Sequence, residues 1–299
     1  MHTLNLVDID KSDIKYQIQK FPDGQQNIVL KTYSIAEIKT LFEIKKLSIQ
    51  IKSRLNNFLD LELIICAVAS LRELGAEEIH LYIPYVMGAR SDRKFEEGGN
   101  NYVKSVIAPI INSLNFKSVT CIDPHSDVLE ACINNFKKIS NYKLIVNFAL
   151  KELFGQGKDK LYNPKKFILT SPDAGASKKI YKLAEQIGYE GDIITCSKDR
   201  DTEGKLTKCV VPVKDTGPLC MKDYIIIDDI CDGGSTFINI AKELKKLYNC
   251  NKIYLIVTHG IFSKGFGELQ QYFDGIYTTN SYKQLNPDTQ DFIKQLNVF

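Results

Sequence analysis

The chain is 299 residues long, enough for one large domain or two of ordinary size. Apolar residues make up 44% of it, which excludes an intrinsically disordered chain. The formal net charge of +3 is small for the length and argues against a dedicated nucleic-acid surface. No apolar leader opens the sequence and no run of about 18 apolar residues crosses it, so a soluble cytoplasmic protein without membrane contact is expected. Eight cysteines, at positions 66, 121, 132, 196, 209, 220, 231 and 250, form no CxxC pair, which speaks against a zinc site and a disulfide framework.

In chain order, helical spacing over Asp60–Leu74 leads into a strand at His80–Pro84. Tyr102–Leu114 is predicted as a helix and Ser118–Ile122 as a strand. The polar, Gly- and Pro-containing stretch Gly155–Lys166 reads as the neighbourhood of a junction. A strand at Phe167–Thr170, a helix at Ser177–Ile187 and a strand at Asp192–Thr195 follow. Tyr224–Ile227 is the strongest strand signal in the chain. The next helix carries apolar residues at Phe237, Ile240, Ala241, Leu244 and Leu247, and a strand at Ile253–Thr258 succeeds it. Strand and helix alternating at this spacing predict an α/β protein with parallel sheets covered on both faces. The two series predict two units, 1–148 and 149–299.

The chemical signal is sharpest at Ile225–Thr236, IIIDDICDGGST. An apolar strand delivers Asp228 and Asp229 to its carboxyl end, where ligands bind in open α/β sheets. Asp232, Gly233 and Gly234 form a short loop whose glycines permit close backbone approach. The N–H groups of Gly234–Thr236 and the hydroxyls of Ser235 and Thr236 open a helix, a geometry suited to phosphate. The bland alternative is an ordinary helix start capped by Asp232 or Ser235.

This strand, acid pair and Gly-rich loop resemble the ribose-phosphate motif of phosphoribosyltransferases and of ribose-phosphate diphosphokinases. Four further segments resemble the diphosphokinases in order. They are Ile83–Lys94 (IPYVMGARSDRK), Ile122–Asp127 (IDPHSD), Thr170–Gly175 (TSPDAG) and Cys196–Arg200 (CSKDR). Phe21–Gly24 (FPDG) and Thr258–Ser263 (THGIFS) are similar to two more family elements, so the likeness spans roughly residues 17–265.

The resemblance implies two phosphoribosyltransferase-type domains, each a mainly parallel sheet flanked by helices. The first would serve the ATP phosphates and the second the ribose phosphate, with the active site between them and assembled in a homo-oligomer (dimer or hexamer). It implies ATP as co-substrate, Mg2+ as cofactor and a ribose 5-phosphoryl acceptor that receives the diphosphoryl group as AMP leaves. Phe21, Asp23, Gln25, Arg90, Ser91, Asp92, Arg93 and His125 would bind ATP. His125 and Asp173 would hold the metal. Lys198 and Arg200, on a mobile loop, would act with His125 in catalysis. Asp228, Asp229, Asp232, Gly233, Gly234, Ser235 and Thr236 would cradle the sugar phosphate.

Several positions depart from the family. Gly233 stands where it has Thr and Ser235 where it has Gly, while Ser91 replaces Gln and Gln25 replaces Glu. The stretch after His125, SDVLEACI, lacks the family's regulatory pattern, so allosteric control is not implied. Loss of the Thr side chain at 233 is expected to leave room beside the loop. That would admit a phosphodiester such as ADP-ribose, giving ADP-ribose pyrophosphate for NAD salvage, as an alternative to ribose 5-phosphate. A phosphoribosyltransferase and a non-catalytic synthetase-associated protein are the remaining readings.

Overall fold

In the computed structural model of the chain, residues 1–41, 47–155, 167–200, 206–212, 221–286, 288 and 291–299 are described, with only the backbone for 37–41, 198–200 and 206–208. The chain divides into two compact units, Met1–Ser140 with Val298–Phe299, and Asn141–Asn297. The division at 148/149 expected from the sequence falls inside a helix, Ile145–Phe154, that belongs wholly to the second unit. Of the junction stretch Gly155–Lys166, all but Gly155 lies outside the described residues.

The first unit contains β1 (His2–Asn5), β2 (Tyr16–Lys20), β3 (Gln26–Leu30), α1 (Thr32–Leu41), β4 (Ser48–Lys52), α2 (Phe58–Glu73) and β5 (Glu78–Tyr82). A single π turn, Val103–Ile107, then runs into α3 (Ala108–Ser113), followed by β6 (Ser118–Ile122), α4 (Val128–Cys132) and β7 (Phe136–Ile139). Five strands form a parallel sheet in the order β1-β4-β5-β6-β7, and β2 and β3 form a separate antiparallel hairpin. In β4 and β5, Ile49, Ile51, Ile79 and Leu81 are buried while the residues between them are half-buried. That alternation marks a sheet with one fully packed face. The helix α2 starts where the Asn57 side chain accepts a hydrogen bond from the Asp60 N–H, and it buries Leu61, Ile64, Val68 and Leu71 at helical spacing. The end of the chain returns to this unit. The Tyr82 hydroxyl donates to the Val298 carbonyl at 2.9 Å, and Phe299 sits edge-on to Tyr82 beneath the Arg54 guanidinium.

The second unit contains α5 (Ile145–Phe154), β8 (Phe167–Ser171), α6 (Ala174–Gln186), β9 (Ile193–Thr195), β10 (Ser197–Arg200), β11 (Leu206–Val210) and β12 (Asp223–Cys231). After these come α7 (Ser235–Tyr248), β13 (Ile253–Gly260), α8 (Leu269–Tyr272), β14 (Gly275–Thr279) and β15 (Ile293–Leu296). Six parallel strands run in the order β15-β14-β13-β12-β8-β9, and β10 and β11 form an antiparallel pair. The side-chain period of two distributes β12 between two cores. Tyr224 and Ile226 pack with Phe237, Ile240 and Leu244 of α7, whereas Ile225 and Ile227 pack with Val146, Ile180 and Leu183 of α5 and α6. Both faces of this sheet are therefore covered, and β8, β13 and β14 are buried throughout.

Three details differ from the sequence reading. The helix expected over Tyr102–Leu114 opens with a π turn. Leu247, assigned to the apolar face of α7, is exposed, and Ile238 and Tyr248 are buried in its stead. The strand β12 does not stop at Ile227 but carries on through the two acids to Cys231. Among the described residues, no helix is long and apolar enough to cross a membrane.

Candidate active site

The cradle motif lies at the carboxyl edge of the second unit's sheet. β12 outruns its neighbour β8, with which it pairs only as far as Ile226 opposite Thr170, while it remains paired with β13 up to Cys231 opposite Gly260. Asp228 and Asp229 thus sit on the part of β12 that overhangs the end of β8, still held in strand geometry. Asp229 is 5% exposed and Asp228 is half-buried. Burial holds the Asp228 carboxyl well above the ordinary carboxylate range, and the neighbouring Asp229 charge adds to this, with a smaller contribution from Asp173. The Asp229 N–H donates to Asp228 Oδ1 at 2.9 Å and opposes the shift.

Asp173 follows β8 and caps α6, its Oδ1 accepting from the Ala176 N–H at 2.9 Å. The segment TSPDAG therefore places a carboxylate at a strand end, as expected, and gives it a second duty in starting a helix. Cys231, at the end of β12, is buried, and its thiol is pushed up to about 12 by that burial and by the charges of Asp228 and Asp232, which leaves it protonated and unreactive.

The loop after Cys231 enters α7 through Gly234, whose φ of 81° lies in the left-handed region. The bland alternative placed the cap at Asp232 or Ser235; the N-cap position is instead held by Gly234, which has no side chain to bond the first turn. The hydroxyls of Ser235 and Thr236 make no hydrogen bond to a described residue. Helix N–H groups without internal partners, next to unengaged hydroxyls, form a natural anion seat.

A neighbouring loop walls this seat, and the match at THGIFS marks its start. Gly260 closes β13, and a Cβ there would come within 2.2 Å of the Phe262 ring, so the glycine is what lets that ring tuck underneath. The Ile261 and Phe262 N–H groups both donate to the Cys231 carbonyl, at 2.9 and 3.2 Å, and the Ser263 N–H donates to the Asp232 carbonyl at 3.2 Å. Beyond them the Lys264 side chain lies along Gly233. A Cβ at 233 would be 3.2 Å from Lys264 Cδ and 3.3 Å from Cε. A lysine stem thus borders the space beside Gly233. His259, which the sequence reading passed over in favour of His125, is buried with Nδ1 2.8 Å from Ser281 Oγ.

In the first unit, Phe21, Asp23 and Gln25 occupy the exposed turn between β2 and β3, where the Phe21 N–H donates to the Gln25 carbonyl and the Gln25 N–H to the Asp23 carboxylate. Arg90, Ser91, Asp92 and Arg93 lie on the loop after β5, and His125 lies exposed on the loop after β6. These strands are adjacent in the sheet, so both loops leave the same edge of it. Gly88, with φ of 71°, lies against the Tyr102 ring, and the Arg93 guanidinium stacks on Phe95 at 5.1 Å. Segment 197–200 forms strand β10, with Lys198 opposite Cys209 of β11. Buried Cys209 joins the α7 core, which anchors the hairpin near the start of that helix. The side chains of Lys198 and Arg200 lie outside the described residues.

No group of three or more His, Cys, Asp or Glu among the described residues could by itself hold a metal ion. Magnesium is commonly held by one or two carboxylates together with substrate phosphates and water, and the residues present fit that mode.

No protein-family model matches the sequence. A ribose-phosphate pyrophosphokinase of Mycoplasmopsis pulmonis is 28% identical over 267 residues, covering 87% of this chain and 74% of that protein. One of Pyrococcus furiosus is 27% identical over 269 residues, covering 89% and 85%. The crystal structure of phosphoribosylpyrophosphate synthetase from Mycobacterium smegmatis superimposes with a TM-score of 0.75 at 16% identity, covering 97% of this chain and 88% of that one. Along most of its length the chain is thus similar to ribose-phosphate pyrophosphokinases, and its two α/β units with parallel sheets have the fold of phosphoribosylpyrophosphate synthetase.

Proposed function

We propose that the chain transfers the β,γ-diphosphoryl group of ATP to the anomeric hydroxyl of ribose 5-phosphate, giving phosphoribosyl pyrophosphate and AMP. The observation that carries this reading is the glycine-led start of α7, with Ser235 and Thr236 hydroxyls that bond no described residue, directly after the overhanging acid pair. Asp232 to Thr236 bind the 5-phosphate through N–H and hydroxyl donors, and Asp228 and Asp229 accept from the ribose hydroxyls.

In the first unit, Arg90 and Arg93 bind ATP phosphates, Ser91 and Asp92 shape the same loop, and Phe21, Asp23 and Gln25 meet the adenine end. His125 contacts the phosphates and, with Asp173, is assigned to magnesium, which when bound neutralises phosphate charge. The anomeric oxygen bonds to the β-phosphorus in line as the bond to the α,β-bridging oxygen breaks; AMP leaves with that oxygen and the hydroxyl proton passes to water. Lys198 and Arg200 neutralise the charge that gathers on the moving group. Positioning and charge supply the rate, so no side chain is assigned as general base. A homo-oligomer is part of this reading.

The test is incubation with ATP, magnesium and ribose 5-phosphate, with AMP release and product mass as readouts. Lys198→Ala is expected to lower turnover by about 1,000-fold or more. Consumption of phosphoribosyl pyrophosphate with a free base, without cleavage of ATP, identifies a phosphoribosyltransferase instead. ATP left intact under every condition removes the catalytic reading altogether.

A further inference from the structure

We infer that Lys264 is a specificity-determining residue of the phosphate seat: it supplies a positive charge that selects a doubly charged terminal phosphate over a singly charged phosphodiester. The inference rests on the ribose-phosphate reading of the loop and goes beyond it by naming the residue that sets phosphate charge preference.

Three observations converge on Lys264. Its stem is laid on the seat, with Cδ and Cε 3.2 and 3.3 Å from where a Cβ of residue 233 would stand. The ammonium is one bond beyond Cε, on a stem that borders the loop leading into α7. Its backbone is fixed: three main-chain hydrogen bonds tie residues 261–263 to Cys231 and Asp232, and the Gly265 N–H donates to the Phe262 carbonyl at 3.1 Å. Phe262, 3% exposed and edge-on to Phe266 at 5.0 Å, anchors the turn from below. Finally, among the described residues the charge has no partner: Lys264 makes no hydrogen bond or ion pair with any of them. Lys242, on the same side of the unit, contrasts with it: its ammonium lies 3.9 Å from Glu268 and over the Tyr272 ring.

The chemistry of the ligand follows. A phosphate monoester carries a charge of about −1.5 to −2 near pH 7, whereas a phosphodiester carries about −1. An ammonium beside the seat favours the monoester by charge. A second substituent on the phosphorus that passed Gly233 would have to displace the Lys264 stem. Both effects favour ribose 5-phosphate over ADP-ribose.

The experiment compares wild type, Lys264→Met and Lys264→Arg. Binding of ribose 5-phosphate and of ADP-ribose to the resting protein is measured by calorimetry, and KM for ATP and for acceptor is measured in the AMP-release assay. Lys264→Met keeps the stem and loses the charge. It is expected to weaken ribose 5-phosphate binding by about ten-fold, to narrow its margin over ADP-ribose and to leave KM for ATP unchanged. Lys264→Arg is expected to restore most of the loss. Unchanged ribose 5-phosphate binding in Lys264→Met, or an equal loss for both acceptors, overturns the inference. A wild-type protein that binds ribose 5-phosphate yet releases no AMP overturns the diphosphokinase reading instead, and the binding ratio still decides the role of Lys264. Failure of the wild type to bind ribose 5-phosphate overturns both.

Discussion

Gly233 and Gly234 are adjacent, yet the structure gives alanine a different fate at each. At Gly234 the backbone φ is 81°, and a Cβ would meet Leu269 Cδ2 at 3.0 Å and Ile238 Cδ1 at 3.6 Å. Holding a non-glycine residue in the left-handed region costs about 1–2 kcal/mol. Pushing the buried Leu269 side chain away from its preferred rotamer adds about 1 kcal/mol. Gly234→Ala is therefore expected to destabilise the second unit by about 2–3 kcal/mol and to lower its melting temperature by roughly 5–10 °C. At Gly233 no unusual φ is required, and the neighbour is the flexible stem of Lys264, so alanine there should stay within about 0.5 kcal/mol of wild type. Urea unfolding followed by circular dichroism separates the two, the midpoint moving at constant slope. Equal stability of the two variants, or a Gly234→Ala shift below about 0.5 kcal/mol, would refute the claim that the left-handed entry to α7 is conformationally enforced.

Other consequences can be measured separately. Because burial and Asp229 raise the Asp228 pKa, the folded protein binds more protons than the unfolded one between the ordinary value of 3.8 and the raised one, so its contribution to stability falls as pH climbs through that window. Asp228→Asn should accordingly have the higher urea midpoint at neutral pH and converge with wild type in acid near the ordinary value. A less stable Asn variant at neutral pH would contradict the assigned cause. Phe299→Ala removes the ring between Tyr82 and Arg54 and should destabilise the first unit by about 2 kcal/mol, seen as faster amide exchange in β4 and β5, with Phe299→Leu recovering part of it.

Legibility in the sequence followed apolar runs. Ser118–Ile122 was readable to the residue because its apolar positions are bounded by a lysine and an aspartate, and α7 was readable because its buried residues recur at helical spacing. β1, β14 and β15 are four or five residues long and their burial comes from neighbouring strands, so no local pattern marks them. Asp228 and Asp229 made β12 look finished at Ile227. Charge normally signals a strand's exit into solvent, and here the overhang beyond β8 replaces that exit. The polar run at 197–200 concealed β10 for the same reason. The acid pair, the glycines and the open helix start could all be inferred from residue type and order. Lys264 could not, because its place depends on two loops, thirty residues apart in sequence, being joined by main-chain bonds.

Those bonds have an implication for how this site can change. Since the tie between Cys231–Asp232 and 261–263 uses only backbone groups, side chains at 233 and 264 can vary without disturbing the scaffold. They nevertheless adjoin: a side chain at 233 would press on the stem at 264, which would have to give way. The two positions form a coupled pair, in which the effect of a substitution at one depends on the residue at the other. A hydroxyl-bearing residue introduced at 233 alone should act chiefly by evicting Lys264, and only the double variant would reveal what the hydroxyl itself contributes.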